Sequence, residues 1–435
     1  MSKEQTVNTG LHQRRENAGP LSRIETDPAH HLTGPFLTQT PLGGNTPSSG
    51  GSPVSTNGNG FPRTKAKLGF WDDITSFQWI IKPASSFKIL VFFVILWANW
   101  AALAPYVATN LSNPFEPLLF ISHRVPSSPP DDARYQKGYL DLVFIAYHIV
   151  FFSFLRQFIT VTLCRPVARY FGIRKQGKID RFGEQGYALV YFAVMGAWGY
   201  RIMTQLPTNW FQTKYFWIGS IPLTLILADY PHWDMKPELK RYYLMHSAYW
   251  CQQLIVLLLG LEKPRKDYTE LVAHHFVTLW LIGWSYLINL TFIGNAVYMS
   301  MDIPDTFLAA SKLLNYMRWE KTKVVSFIAL LISWTYFRHW LNLKMLWSVW
   351  FEFDLISETN RSWAPETGAW LTWWMKYQIF APILLLQILN LFWYFLILRI
   401  GYRAMLQAPM TDVRSDDEDD GDDGDDEPLI DKKSS

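Results

Sequence analysis

The 435-residue chain is poor in several things, and each shortage closes a route. It has two cysteines, Cys164 in a basic stretch and Cys251 inside an apolar run, so neither a disulfide framework nor a cysteine-based metal site is expected. Its ten histidines stand at 12, 30, 31, 123, 148, 232, 246, 274, 275 and 339 and form no HxxxH or HxxHH box, which argues against a histidine-cluster metal centre. Neither a glycine-rich phosphate loop nor a GxSxG elbow is present. A cleavable signal peptide is not expected either, because the N-terminal region is polar and the first apolar run begins near residue 89.

Acidic residues are scarce outside one place. Residues 412–435 hold 12 of the 37 acidic side chains and 3 of the 40 basic ones, so the rest of the chain carries 37 basic and 25 acidic groups, a charge of +12. A basic body and an acidic tail result, and no nucleic-acid partner is expected. The mean hydropathy of +0.01 conceals a similar division. Residues 1–66 are rich in Gly, Pro, Ser, Thr and Asn and bury too little apolar surface to offset their ordering entropy, so they are expected to be disordered and cytosolic. Residues 88–400 hold long aromatic-rich apolar runs.

A membrane-spanning helix needs about 20 mostly apolar residues. Seven runs qualify, at 89–108, 139–162, 186–204, 242–261, 271–292, 324–346 and 377–399. An eighth, 295–317, is interrupted by Asp302, Pro304, Asp305 and Lys312 but lies between two clear spans. Residues 215–229 are apolar but short and contain a proline, and are read as re-entrant or interfacial. The fold class expected is an all-α polytopic membrane protein with about eight transmembrane helices. The loop with Arg165, Arg169, Arg174, Lys175, Lys178 and Arg181 is placed in the cytosol by its charge, which puts both termini there too and the sequon at Asn110 on the lumenal side. Over 67–87, Phe70, Ile74, Phe77 and Ile81 recur at helical spacing, as for an interfacial amphipathic helix; an aromatic collar before the first span is the alternative.

Ionisable side chains at membrane depth are costly unless paired or turned into a cavity. Here they cluster. Asn295, Asp302, Asp305 and Lys312 follow steps of 7, 3 and 7 and share one helical face. On the preceding helix His274 and Thr278 are four apart, with Ser285 on the same side, while His275 points about 100° away. With a short loop near 291–294 the two helices form a hairpin, which brings the histidines toward Asp305 and Lys312 and makes a histidine-to-carboxylate contact plausible. Tyr242, His246, Tyr249 and Gln253 add another polar face, and Arg338 and His339 stand on the seventh span. Arg338 is alternatively a residue reaching to the lumenal surface, and His246 is structural or pocket-lining. A histidine with a carboxylate supplies general-base or acyl-transfer chemistry.

The run HHFVTLWL, followed by IGNAVYMSMDIPDTFLAASKLLNY, resembles the Lag1 motif of ceramide synthases, and RFGEQGYALVYF and YYLMHSAYWCQQL are similar to segments of that family. The resemblance covers residues 180–403, as a TLC domain enclosing an intramembrane cavity, preceded by two helices over 88–179. It implies N-acylation of a sphingoid base by a fatty acyl-CoA. His274 and His275 match the essential pair and Asp302 the first motif carboxylate. Asp305 matches the second and joins Asn295, Lys312, Tyr242, His246, Gln253 and Arg338 as a substrate-binding candidate. The thioester is already activated, so no metal or other cofactor is expected, acyl-CoA being the co-substrate. One histidine can take the amine proton while an Asp fixes its tautomer, or a histidine can carry the acyl group; the sequence leaves both open. The resemblance ties acyl-length selectivity to the loop at 347–376, and includes a small regulatory membrane subunit or a homo-oligomer among the partners, besides the bilayer. A membrane-bound O-acyltransferase, a TLC-domain lipid sensor and a translocon-associated protein are the alternatives. They have less need of His274, His275 and Asp302 together.

The tail, 404–435, is a solvated acidic segment. Ser415, followed by Asp416, Asp417 and Glu418, has the setting of an acid-directed kinase site, and Lys432 and Lys433 in the terminal KKSS resemble a retrieval signal for a cytosolic C-terminus. The address implied is the endoplasmic reticulum membrane.

Overall fold

The computed structural model describes residues 70–107, 111–218, 232–262, 265–367 and 369–406. The disordered segment expected at 1–66, most of the segment at 215–229, Asn110, and the tail with Ser415, Lys432 and Lys433 lie outside the described residues. Among the described residues regular structure is helical, and extended pairing is limited to three isolated bridges such as that of Arg124 with Tyr135.

Among the described residues eight long helices carry the architecture. They are α1 (Pro83–Val107), α2 (Leu140–Tyr170), α3 (Gln176–Thr204), α4 (Pro237–Leu258), α5 (Tyr268–Leu287), α6 (Thr291–Tyr316), α7 (Glu320–Phe351) and α8 (Met375–Met405). Four of them, α1, α2, α7 and α8, are long and apolar enough to cross a membrane by length and composition. The other four fall short because their faces carry polar residues turned against protein.

Helix α6 is the clearest case. Residues 293–302 are buried without a break, and α6 packs along α3 and α7 with α4 and α5 alongside. Close approach is needed here: a Cβ on Gly294 would fall on the Tyr243 hydroxyl, and one on Gly196 of α3 would meet the Ile303 side chain at 3.4 Å. The hairpin expected between α5 and α6 forms, but its link is Ile288 to Leu290, with Asn289 in the left-handed region at φ 62°. Residues 291–294, expected as loop, are the first turn of α6.

The N-terminal expectation is also corrected. In place of one helix over 67–87 there are two short ones, Phe70–Thr75 and Gln78–Ile81, parted at Phe77, whose φ of 54° breaks the helical path. Pro83 then opens α1, several residues before the expected start, since a proline at a first helical position forfeits no hydrogen bond.

Two helices contain π-helical turns, Ile159–Cys164 in α2 and Trp334–Leu341 in α7. The π-helical turn of α7 carries the adjacent Arg338 and His339, both buried. On the side of the 111–139 loop, buried Lys240 of α4 pairs with Asp141 of α2 at 2.8 Å and donates to the Ser122 carbonyl at 2.8 Å. Tyr286 of α5 donates to the same carboxylate at 2.8 Å, so three helices and a loop share one polar knot.

Candidate active site

Trp250 of α4 and His274 of α5 border two cavities. The first, about 180 Å³, is the more polar and lies toward the basic 259–267 loop, lined by Glu184, Gln253, Glu262, Arg265, Asp267, His275, Asp305, Lys312 and Arg338 among apolar neighbours such as Phe192, Leu257 and Leu308. The second, about 50 Å³, runs the other way and is largely apolar, lined by Leu281, Ile282, Ile293, Val297, Met301, Ile379 and Leu386 with Thr278, Ser285 and Asp302. His274 is therefore set where a polar chamber meets an apolar one.

The paired histidines are held by different means. His275 Nδ1 is 2.7 Å from the Leu271 carbonyl four residues earlier, and an N–H there leaves Nε2 as the acceptor. His274 is wedged between two tryptophans, with ring centroids 5.5 Å from Trp250 and 5.3 Å from Trp393, both edge-on. Its Nδ1 is buried with no hydrogen-bond partner. Packing orients this ring, and its polar edge is left for a ligand.

The carboxylates are sorted by the helix turn. Asp302 is 1% exposed, and its nearest basic partner is His246 of α4, with Nε2 3.4 Å from Oδ2. Tyr191 of α3 meets His246 Nδ1 at 3.2 Å, and Tyr298 stacks on the imidazole at 4.3 Å, 2° from parallel. The histidine that Asp302 meets is thus His246, because α4 lies nearer that turn of α6; Asp302 and His274 meet as walls of the apolar cavity. Asp305, one turn on, binds Arg338 at 2.6 Å. Arg338 also donates to Asn390 Oδ1 at 2.9 Å and the Met301 carbonyl at 3.0 Å, with its guanidinium 4.2 Å from the Trp334 ring centre. At 3% exposure it does not reach the lumenal surface.

Of the candidates read from the sequence, His274, His275, Asp302, Asp305, Lys312, Gln253 and Arg338 line a cavity. Tyr242, His246 and Asn295 line neither; all three are fully buried, Tyr242 at 4.5 Å from the His246 ring. Sequence reasoning passed over Tyr191, Trp250, Trp393, Asn390 and Gln387. The last two, three apart on apolar α8, were detectable as polar residues inside a spanning run; Gln387 joins His339 Nδ1 at 2.8 Å and Asn342 at 2.7 Å.

The polar cavity is electrostatically mixed. Glu262, on the loop, binds Arg156 at 2.8 Å. Burial pushes its carboxyl up, and the guanidiniums of Arg156 and Arg265 outweigh that and hold it below its ordinary value. Among the described residues no group of three or more His, Cys, Asp or Glu is placed to hold a metal ion.

The TLC domain model matches residues 181–399. Sphingosine N-acyltransferase lac1 of Schizosaccharomyces pombe is 41% identical over 73% of this chain and 77% of its own length. Ceramide synthase LAG1 of Saccharomyces cerevisiae is 39% identical over 71% of each chain, and the sphingosine N-acyltransferase-like protein FUM17 of Gibberella moniliformis 38% identical over 66% and 71%. Likeness of that extent, carried through the helices that build both cavities, means that the chain belongs to the TLC-domain family and, within it, to the fungal ceramide synthases.

Proposed function

We propose that the protein transfers the acyl group of a fatty acyl-CoA to the amine of a sphingoid base, dihydrosphingosine or phytosphingosine, giving a ceramide and free CoA. The observation that carries the reading is His274 at the meeting point of the two cavities. An acyl chain directed at the apolar cavity, which must widen to take more than its first carbons, brings its thioester carbonyl to the histidines, and the CoA head stays on the side of the basic loops, which suit its phosphates. The sphingoid ammonium first gives one proton to water and its free amine attacks the carbonyl; the C–N bond forms as the C–S bond breaks, and a second amine proton passes to a histidine and on to the departing thiolate. His275 has an acceptor Nε2 for that proton. A covalent route, in which a histidine first takes the acyl group, uses the same atoms.

The thioester supplies the driving force, so acyl-CoA serves as co-substrate with no metal or cofactor. We place all eight long helices across the membrane of the endoplasmic reticulum with both termini in the cytosol, and include a small membrane subunit or a second copy of the chain as a partner. The purified protein, given a series of acyl-CoAs and dihydrosphingosine, is expected to release one CoA thiol per ceramide formed. Thiol release with no amide would mark a thioesterase and contradict the proposal.

A further inference from the structure

Four carboxylates line the polar cavity, and three are each in an ion pair: Glu184 with Arg181 at 3.0 Å, Glu262 with Arg156 at 2.8 Å and Asp305 with Arg338 at 2.6 Å. Asp267, at the start of α5, differs. Its Oδ2 accepts from the neutral indole N–H of Trp393 at 2.9 Å, while Oδ1 is buried with no partner, on a residue only 5% exposed. A buried carboxylate oxygen left unpaired is costly, and an ionised carboxylate can only accept. The group that completes this position therefore brings an N–H or O–H, and a cationic one is favoured most.

We infer that Asp267 Oδ1 receives the protonated amine of the sphingoid base as it occupies the polar cavity. The inference rests on the acyl transfer proposed above and supplies its missing amine subsite. The Trp393 indole that donates to Asp267 also packs edge-on to His274 at 5.3 Å, so a head group held at Asp267 lies one indole away from that histidine. The pantetheine arm of CoA has N–H and O–H donors too, but it belongs to an anion, and the charge on Asp267 selects the cation. Asp267 is thus a binding residue on the amine side of the reaction, separate from the groups that handle the acyl carbonyl.

The test compares Asp267→Asn, which keeps the shape and removes the charge, with Trp393→Phe, which keeps the carboxylate and removes its neutral donor. Asp267→Asn is expected to raise the KM for dihydrosphingosine about tenfold and to leave the KM for acyl-CoA within about twofold. Trp393→Phe, which keeps the carboxylate's charge, should raise the KM for the base less than Asp267→Asn does. Equal losses of kcat in both variants with KM unchanged would reduce Asp267 to a support for Trp393 and overturn the inference, as would a raised KM for acyl-CoA in its place. A second measurement needs no variant: the dihydrosphingosine analogue with a hydroxyl in place of the amine should inhibit the wild type competitively but at least about tenfold more weakly than an unreactive N-methylated base. Equal inhibition by the two would overturn the inference even if Asp267→Asn failed to fold. Wild-type protein that forms no ceramide would instead overturn the acyl-transfer reading on which the subsite rests.

Discussion

Asp302 and Asp305 are three residues apart, yet one faces a histidine on α4 and the other an arginine on α7. Their spacing was legible as a shared helical face, and the cost of charge at membrane depth made that face the right place to look. Which partner each carboxylate takes depends on where α4 and α7 pack against α6, and no residue spacing within α6 contains that. His246 illustrates the difference. It lines no cavity, but it lies 3.4 Å from Asp302 and is held in turn by Tyr191 and Tyr298, so in the reaction proposed above it acts through the carboxylate. His246→Phe is expected to lower kcat by about tenfold to a hundredfold with little change in either KM, since a displaced carboxylate misorients the reacting groups without closing the cavities. His246→Gln, which keeps a donor, should retain more activity. A steady-state comparison of the two variants checks this, and equal activity of His246→Phe and wild type would assign His246 to packing alone.

Among the helices, α6 was the least apolar of the runs read from the sequence, and the structure shows why: a helix surrounded by other helices has no need of a lipid-facing surface. The π-helical turn of α7 was not legible, because residues 334–341 read as an uninterrupted helical run. The break at Phe77 was hidden for a similar reason, as the apolar spacing of residues 70–81 continues across it. Between elements, the Lys240 and Asp141 pair is more deeply buried than the Arg338–Asp305 and Arg156–Glu262 pairs. Lys240→Met leaves the Asp141 carboxylate buried without its cation and is expected to cost about 3–5 kcal/mol of stability, read as a lower Tm in detergent. Adding Asp141→Asn should recover part of the loss, and a double variant no more stable than Lys240→Met would show that the carboxylate is not what is left uncompensated.

Taken whole, the molecule divides its interior into a polar half toward the basic loops and an apolar half beyond His274. The chain's charge distribution and apolar runs pointed to a membrane bundle with a polar interior, and the arrangement of two cavities around one histidine needed the packing of α4, α5, α6 and α8 together. The apolar cavity predicts an acyl-length effect: Val297→Phe, on its α6 wall, should shift preference toward shorter acyl-CoAs by about tenfold or more in relative kcat/KM, measured by competition between a long and a short chain. A uniform loss across all lengths would place the acyl chain elsewhere. The most direct measurement is ceramide formation by purified wild-type, His274→Ala and His275→Ala proteins, each checked for an intact fold by its melting curve. Ceramide from the wild type, with loss of about a hundredfold or more in both variants, is the result predicted for a pair that handles the reacting atoms. Folded His274→Ala protein that still makes ceramide at the wild-type rate would contradict the account.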